Sequence, residues 1–540
     1  MARALPAPPA SERDALLPKL DDIDPEAQAG SPDEDDLDKP KIPGVKIQYI
    51  LPALGLGIFL AAMDNTIVVS SYGAIGNDLH ELNRTSWIAT AYLLTTTSFQ
   101  PLYGKLSDIF GRKASLLFAY TVFGLGCLGC GLSTSLEQLV AARAFAGIGG
   151  GGMTTVVSIL VSDIVGLRSR GTWQGVLNIV FASGAAAGAP LGGLMADTIG
   201  WRWSFIFQFP ATLLAILIVS VFLHLPPTEQ SPTTFKTRFY RVDFLGAFVL
   251  VAAVLSLLIG LDQAGNLSLT SPLVIISLSI ALVLFLAFIY VESLVAAEPF
   301  APPHIVKEPT ILACCLANFF SFGSYMAVLF YVPLYYQAVE ALSARQAGMR
   351  LLPAIAGSVA GSLGGGIVMQ KTGKFYWLTV WAYTLPVLGS VLVVYFSTVT
   401  SHVGVSMGIL LSGFGNSIGV TTSLVALIAA AGSKDQAVAT AVSYLFRALG
   451  TVAGVSIGST LVQGQLRREL ARRLTGDDAD EIVRKVRESL EFIGTLPKET
   501  RDVVRACYKD SVQVAFLFAI GLSVCALVSA AFIKERRLGR

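Results

Sequence analysis

The chain has 540 residues, of which 53% are hydrophobic and only 14% charged, and its formal net charge is +2. Soluble proteins carry nearer a quarter charged residues, so this composition excludes an ordinary soluble globular protein. The charge balance also leaves no basic domain that could hold nucleic acid. Apolar residues instead form runs of about 20, the helix length that crosses a hydrocarbon core of about 30 Å. We therefore predict an all-α integral membrane protein.

The first 46 residues are polar and acidic, and they lack the apolar periodicity of a buried element. They predict a disordered cytoplasmic tail without a secretory signal peptide. Within this tail, Glu12, Leu16 and Leu17 have the spacing of an acidic dileucine signal, although such short strings also arise by chance. If used, the signal would bind a sorting adaptor.

Fourteen spans follow, and the apolar runs predict them at 47–71, 86–103, 114–132, 137–161, 172–195, 204–223, 243–261, 272–291, 309–336, 346–369, 375–397, 403–431, 437–461 and 511–532. Spans 1–6 and 9–14 are predicted to form two bundles, and spans 7 and 8 an insertion. The corresponding domains are a tail over 1–46, an N-terminal bundle over 47–223, a linker with two spans over 224–308, a C-terminal bundle over 309–533 with a luminal helical loop over 462–510, and a tail over 534–540.

The distribution of basic residues predicts the orientation. Lys and Arg concentrate in the loops on the side of the N-terminus, whereas the opposite short loops hold only Arg84, Arg202 and Arg345. Cytoplasmic loops carry the basic excess, so both termini are predicted to be cytoplasmic. Two glycosylation sequons, at Asn83 and Asn266, fall in loops on the opposite side and predict a glycoprotein.

The loop after span 2 reads GKLSDIFGRK and contains Gly104, Asp108, Gly111, Arg112 and Lys113. Two glycines seven residues apart allow close helix approach and a tight turn. The aspartate can cap the next helix or pair with the arginine, which makes a charged latch. The string resembles the signature loop of the major facilitator superfamily, in which such a latch stabilises one of two alternating states.

A second copy of this pattern indicates an internal repeat. The string GIVMQKTGK, residues 366 to 374, repeats the glycine spacing at Gly366 and Gly373, with Gln370 at the aspartate position. The resemblance implies a major facilitator fold, in which two six-helix bundles are repeats related along the membrane normal.

Two charges lie inside apolar spans. Asp64, in the span 1 string AAMDNTIVVS, is the only charge between Lys46 and Asp78. Arg143 lies in span 4, in LVAARAFAGIGGGG, which resembles the span 4 motif of proton-driven antiporters. Charges at this depth face a cavity or a partner, so Asp64 is a candidate proton or cation site that Arg143 tunes. The alternatives are a structural Asp64–Arg143 pair, compatible with that role, and snorkelling of Arg143 to the interface.

The span 5 string SGAAAGAPLGG resembles the glycine-proline motif that marks antiporters. Generic small-residue packing is the alternative, and the string differs from the family pattern because Ala189 precedes the proline. The candidate motif residues are Gly184, Gly188, Pro190, Gly192 and Gly193. WRWSFIFQFP and VDFLGA, residues 201 to 210 and 242 to 247, resemble the fourteen-span drug:proton antiporter branch.

Within that branch, spans 4 and 5 look most like fungal vacuolar basic amino acid transporters. The resemblance implies a cavity lined by spans 1, 4, 9 and 12, with Asp64, Arg143, Asn318, Asn416 and Tyr325 as candidate residues. It implies proton-coupled antiport of basic amino acids from the cytosol into the vacuole, across the vacuolar membrane. The alternatives are a plasma-membrane exporter of drugs or metabolites and a transport-dead sensor. Asp64 is the only mid-membrane acid, whereas Arg143 and Arg447 are both positive, which is unfavourable for a cationic substrate.

Several other classes are not indicated. The chain has no GxxxxGK[ST] loop for nucleotide and only four histidines, so an enzyme or an ATP-driven pump is not expected. Cys127 and Cys130 have a C-x-x-C spacing inside an apolar span and are interpreted as small packing residues. We expect no metal or other cofactor. The expected partners are a small-molecule substrate, protons and the lipid bilayer, with the protein acting as a monomer.

Overall fold

The computed structural model describes the chain over residues 47–79, 86–225, 243–266, 271–296, 299, 302–342, 344–474, 479–488 and 491–535. Within these ranges, every regular element is a helix. The candidate dileucine residues Glu12, Leu16 and Leu17, and the sequon residue Asn83, lie outside the described residues. Asn266 is the last residue of a helix.

The described residues contain fourteen long helices, which we label α1 to α14: Ile47–Asp78, Ser86–Phe110, Arg112–Leu132, Leu136–Ile164, Leu167–Thr198, Arg202–Phe222, Phe244–Asn266, Pro272–Tyr290, Pro309–Ala338, Leu352–Thr372, Tyr376–Thr398, His402–Gly432, Asp435–Arg473 and Lys498–Ala531. Shorter helices lie between them at Pro303–Val306, Ala344–Met349, Ala479–Glu488 and Glu491–Thr495, and a π-helical turn at Val291–Val295 extends α8.

Thirteen of these helices are long and apolar enough to cross a membrane. The remaining one, α2, is 25 residues long but richer in threonine, serine and glutamine. Several of its polar groups bond within the protein: the Thr96 hydroxyl donates to the carbonyl of Gly147 at 3.1 Å, and the Ser98 hydroxyl to that of Leu94 at 2.9 Å. Such internal bonds reduce the cost of carrying polar side chains in a membrane helix. The predicted all-α membrane architecture is confirmed, with fourteen long helices among the described residues, thirteen of which qualify as membrane spans.

Two helices of the C-terminal half extend beyond the predicted apolar runs. Helix α13 continues to Arg473 and α14 begins at Lys498, so both project past the hydrocarbon core. The projecting turns pack against the short helix Ala479–Glu488, where the Tyr508 hydroxyl donates to the carbonyl of Val486 at 2.9 Å. Arg473 also forms an ion pair with Asp510 at 2.6 Å. Periodicity of hydrophobic residues ends at the membrane surface, which is why it underestimates these helices.

Helices α12 and α13 are joined almost without a loop. The backbone breaks at Gly432, whose φ of 70° lies in the left-handed region that favours glycine. This break separates what would otherwise be one helix of 72 residues. The two halves fold back on each other, since Arg447 of the second half donates to the carbonyl of Val420 in the first.

Each bundle has its own main hydrophobic core, with smaller clusters beside it. One core draws on α1–α6 and includes Leu54, Tyr120 and Met153. The other draws on the C-terminal helices and includes Leu427 and Val442.

The inserted helices α7 and α8 belong to neither core. They pack where α2 and α13 meet, through a cluster that includes Leu94 and Leu102 of α2, Leu250 and Val254 of α7, and Leu445 of α13. The architecture is thus two six-helix bundles with a two-helix insertion against one of their junctions.

Candidate functional site

A buried ion pair lies inside the N-terminal bundle. Nη1 of Arg143, on α4, lies 2.6 Å from Oδ2 of Asp64, on α1, and the two side chains are 1% and 0% exposed. The structure thus brings together the two charged residues that the sequence places within apolar spans. Arg143 does not snorkel to the membrane interface.

Neutral groups complete the surroundings of this pair. Arg143 Nε donates to the carbonyl of Ile88 at 3.3 Å, and its guanidinium carbon lies 4.3 Å from the ring centroid of Tyr92 and 5.7 Å from that of Phe205. Gln208 Nε2 donates to Asp64 Oδ1 at 3.2 Å. A buried pair needs such additional bonds, because its attraction alone barely offsets the desolvation of two ions.

The contribution of Gln208 was not predicted. It lies on α6, 144 residues from Asp64 along the chain. A contact between residues so far apart produces no periodic pattern in the sequence. The string WRWSFIFQFP contains this glutamine, but nothing in the string connects it with the charge on span 1.

Glycines on α4 explain why Tyr92 can lie over Arg143. A Cβ at Gly147 would come within 2.4 Å of the carbonyl oxygen of Tyr92, and one at Gly150 within 2.2 Å of the Tyr92 hydroxyl. Only glycine allows α2 and α4 this close. The glycine-rich string of span 4 therefore builds the wall of the ion-pair site.

The span 5 motif packs α5 against α1 next to the ion pair. A Cβ at Gly184 would lie 2.4 Å from the carbonyl oxygen of Phe59, and one at Gly188 would lie 2.4 Å from that of Met63, the residue before Asp64. Of the other motif residues, Gly192 accepts a bond from Ser71 at 3.4 Å, Gly193 is half-buried and Pro190 is exposed. The two glycines in this contact fix the backbone that carries the carboxylate.

The C-terminal bundle has a neutral polar network around Asn318. Its Nδ2 donates to the Ser443 hydroxyl at 3.2 Å, and its Oδ1 accepts from Ser423 at 3.2 Å and from Tyr383 at 3.4 Å. These groups come from α9, α11, α12 and α13. The network has no charge of its own.

The other predicted cavity residues bond nearby. Asn416 accepts a hydrogen bond from Ser321, and the hydroxyls of Tyr325 and Ser358 lie 2.9 Å apart. These bonds, like those of Asn318, stay within the C-terminal bundle. The structure therefore does not bring the three cavity residues to Asp64 in this conformation.

The signature loop forms a charged latch. Arg112 Nη1 lies 2.6 Å from Asp108 Oδ1, and Arg112 Nε lies 2.8 Å from Oδ2 of Asp163 at the end of α4. The sequence predicted that Asp108 either caps the next helix or pairs with Arg112. The structure shows the pair, because no side chain caps the start of α3 after Gly111. Gly111 has a φ of 91°, which requires glycine. Lys113 Nζ donates to the carbonyl of Ser220 at 2.8 Å.

The latch continues into the other bundle through a residue that the sequence did not single out. Gln436 Nε2, at the start of α13, donates to Asp163 Oδ1 at 3.2 Å. Asp163 therefore joins Arg112 of the N-terminal bundle to Gln436 of the C-terminal bundle. The 273 residues between Asp163 and Gln436 explain why no local pattern predicted the contact.

Close contacts between the bundles lie at the same end of the molecule. A Cβ at Gly104 of α2 would lie 2.6 Å from Cβ of Ala441 on α13, and one at Gly366 of α10 would lie 2.5 Å from the carbonyl oxygen of Gly171 on α5. The repeated loops of the two halves thus make equivalent close contacts.

Two hydrogen bonds reinforce the α5–α10 contact. Thr172 donates to Gln370 Oε1 at 2.8 Å, and Asn178 Nδ2 donates to the Ser362 hydroxyl at 2.6 Å. Gln370, which replaces the acid of the first latch, therefore contacts the opposite bundle directly. All these contacts lie at the end predicted to face the cytoplasm, so the bundles are closed on that side.

Replacing Gly366 with alanine should open this closed end. The new Cβ would meet backbone atoms of Gly171, which cannot move without separating α5 from α10. Overpacking costs about 1–3 kcal/mol, so the population should shift by about fivefold or more. A cysteine in place of the buried Ser362 would report this shift as faster alkylation in the purified protein.

Gly364→Ala is the matched control, because a Cβ there meets nothing within 4 Å on the same helix. It should leave the alkylation rate unchanged. Equal rates for the two variants would show that the α5–α10 contact does not limit opening.

Comparison with known proteins identifies relatives over most of the chain. The family model described as Major Facilitator Superfamily matches residues 54–455. The vacuolar membrane amino acid uptake transporter fnx2 of Schizosaccharomyces pombe is 43% identical over 495 residues, which cover 92% of this chain and 85% of that protein.

Two further relatives differ in their named function. The multidrug resistance protein fnx1 of Schizosaccharomyces pombe is 40% identical over 475 residues, covering 86% of this chain and 88% of that protein. The vacuolar basic amino acid transporter 2 of Saccharomyces cerevisiae is 32% identical over 459 residues, covering 82% of this chain and 96% of that protein.

Proposed function

This chain belongs to the major facilitator superfamily, a family of transporters and not of enzymes, and we propose that it is a proton-coupled antiporter that moves basic amino acids from the cytosol into the vacuole. The observation that carries the proposal is the buried Asp64–Arg143 pair. Ionisable groups within the membrane are costly and mark ion or proton pathways. Two relatives named as vacuolar amino acid transporters support the substrate class and the membrane.

The proton acts through the ion pair. When Asp64 binds a proton, its charge disappears and Arg143 keeps only the Ile88 carbonyl and the aromatic rings as partners. A buried charge that loses its counterion is strongly destabilised, so the protein is driven to another arrangement of α1 and α4. Loss of the proton restores the pair.

Helix α5 connects the ion pair to the contact between the bundles. Its glycines pack on α1 beside Asp64, and its first turns contact α10 at Gly366 and Ser362. A displacement of α1 is therefore transmitted by a rigid helix to the closed end. Rocking of the two bundles about the central cavity then exposes the substrate site to one side or the other.

The same fold and ion pair also suit a plasma-membrane exporter of drugs or metabolites, and the similarity to a multidrug resistance protein favours this second candidate. Both are antiport out of the cytosol, because the vacuolar lumen is topologically outside. They differ in substrate and in membrane.

Uptake of labelled lysine into acidified vacuolar vesicles tests the proposal. We expect uptake that depends on the protein and that stops when an uncoupler collapses the pH difference. Lysine uptake that persists without a pH gradient would contradict proton coupling. Export of a cationic dye without any lysine uptake would favour the second candidate.

The tail supplies a separate test of location. Replacing Leu16 and Leu17 with alanine should move a tagged protein from the vacuole to the plasma membrane, because an adaptor that reads the dileucine pair loses its contact. Microscopy of the tagged protein measures this. A variant with Leu5 replaced by alanine, in the same tail, should remain at the vacuole, and unchanged residence of the double variant would exclude the signal.

A further inference from the structure

Arg447 is a buried cation in the C-terminal bundle to which the proton mechanism assigns no role. It lies on α13, twelve residues after Asp435, which places it about 18 Å from the start of the helix and near the middle of the membrane. Its side chain is buried, with 6% of the residue exposed. A charge at this depth normally faces a functional cavity or a counterion.

The contacts of Arg447 are with neutral groups. Its Nη2 donates to the carbonyl of Val420 on α12 at 3.4 Å, and its guanidinium carbon lies 4.9 Å from the ring centroid of Tyr444 and 5.6 Å from that of Phe322. Its Nε is buried without a hydrogen-bond partner. No carboxylate lies within ion-pair distance among the residues that the structure describes.

Two other arginines of the bundles have carboxylate partners. Arg143 is held by Asp64, and Arg112 by Asp108 and Asp163. Leaving a guanidinium without a counterion in a membrane protein is expensive. Arg447 nevertheless has no counterion among the described residues. It lies on α13, the helix that also supplies Ser443 to the Asn318 network.

We infer that Arg447 binds the carboxylate of the transported substrate, which serves as its missing counterion. This inference rests on the proposed function, because amino acids bring such a group whatever their side chain. A guanidinium matches a carboxylate with two parallel N–H···O bonds, and the unpartnered Nε is one of the donors such a bond needs. The neighbouring network of Asn318 is neutral, so it does not compete for the guanidinium.

A carboxylate at Arg447 also accounts for an unfavourable feature of the sequence. The mid-membrane charges comprise one acid and two arginines, which is unsuited to a substrate recognised only as a cation. With Asp64 holding Arg143, the remaining positive charge is Arg447. A carboxylate from the substrate neutralises it.

The test compares ligands that differ only in the carboxylate. Purified protein is reconstituted in vesicles, and uptake of labelled lysine is inhibited with lysine or cadaverine, and with arginine or agmatine. We expect the decarboxylated compounds to inhibit at least about tenfold more weakly, because they lack charged hydrogen bonds to Arg447. Arg447→Gln should raise the KM for lysine by about tenfold or more, and Arg447→Lys should recover part of the loss.

Arg202→Gln is the control and should leave the KM for lysine unchanged, because Arg202 pairs with Asp78 outside this site. Ligand-induced shifts in melting temperature provide a second readout that needs no transport. Wild-type KM in a folded Arg447→Gln variant, or equal inhibition by lysine and cadaverine, would overturn the inference while leaving amino acid antiport intact. If the wild-type protein neither takes up nor binds lysine, the proposed function fails and the inference fails with it.

Discussion

Proton-driven lysine uptake should be lost when Asp64 is replaced by asparagine. The amide keeps the shape of the side chain but cannot gain or lose a proton, so the ion pair with Arg143 no longer switches. We expect uptake to fall to the background of protein-free vesicles, measured with labelled lysine and an imposed pH difference. Proton-dependent uptake at the wild-type rate would exclude Asp64 as the coupling group.

Stability separates this effect from misfolding. Asp64→Asn leaves Arg143 buried without a counterion, which should cost about 3–5 kcal/mol in the free energy of unfolding. The double variant Asp64→Asn/Arg143→Gln has no buried charge at this site and should recover most of the melting temperature. It should still not couple uptake to protons, because neither side chain titrates.

The second large effect is expected at Asp163. Its carboxylate accepts from Arg112 at 2.8 Å and from Gln436 at 3.2 Å, so it joins the two bundles at their closed end. Asp163→Asn removes one of the two charges that hold Arg112 and leaves only Asp108. Hydrogen bonds to charged groups contribute about 1.5–3 kcal/mol, so the closed state should lose about tenfold or more in population. Faster alkylation of a cysteine at position 362 and a lower uptake rate would report this.

Asp78→Asn is the matched comparison for Asp163→Asn. Asp78 also pairs with an arginine, Arg202, at 2.7 Å, but both side chains are well exposed and both lie within the N-terminal bundle. Exposed pairs contribute about 0–1 kcal/mol, so this variant should be close to wild type. If both aspartate variants have the same effect, the latch does not control the conformation of the bundles.

The sequence predicts the helices well because membrane spans are defined by local composition. Runs of about 20 apolar residues identify all fourteen helices, including α2, despite its threonines. The Asp108–Arg112 pair was also predictable, because the two residues lie four positions apart in one short loop motif. These features depend only on residues close together in the chain.

Contacts between distant segments could not be predicted from the sequence. Arg143 was a candidate partner for Asp64 because both are rare charges in apolar spans, but Gln208 is an ordinary polar residue on a third helix. Gln436 is likewise an ordinary residue in sequence, although it makes the contact between the bundles at Asp163. Such residues are recognised only once packing shows which neighbours they have.

The insertion of α7 and α8 makes the two sides of the transporter unequal. This hairpin covers the junction of α2 and α13, whereas the cluster that holds it contains no residue of α5 or α10. Acyl chains are therefore kept from the junction of α2 and α13. A lipophilic compound dissolved in the bilayer would meet the hairpin, and not this junction, on that side of the transporter.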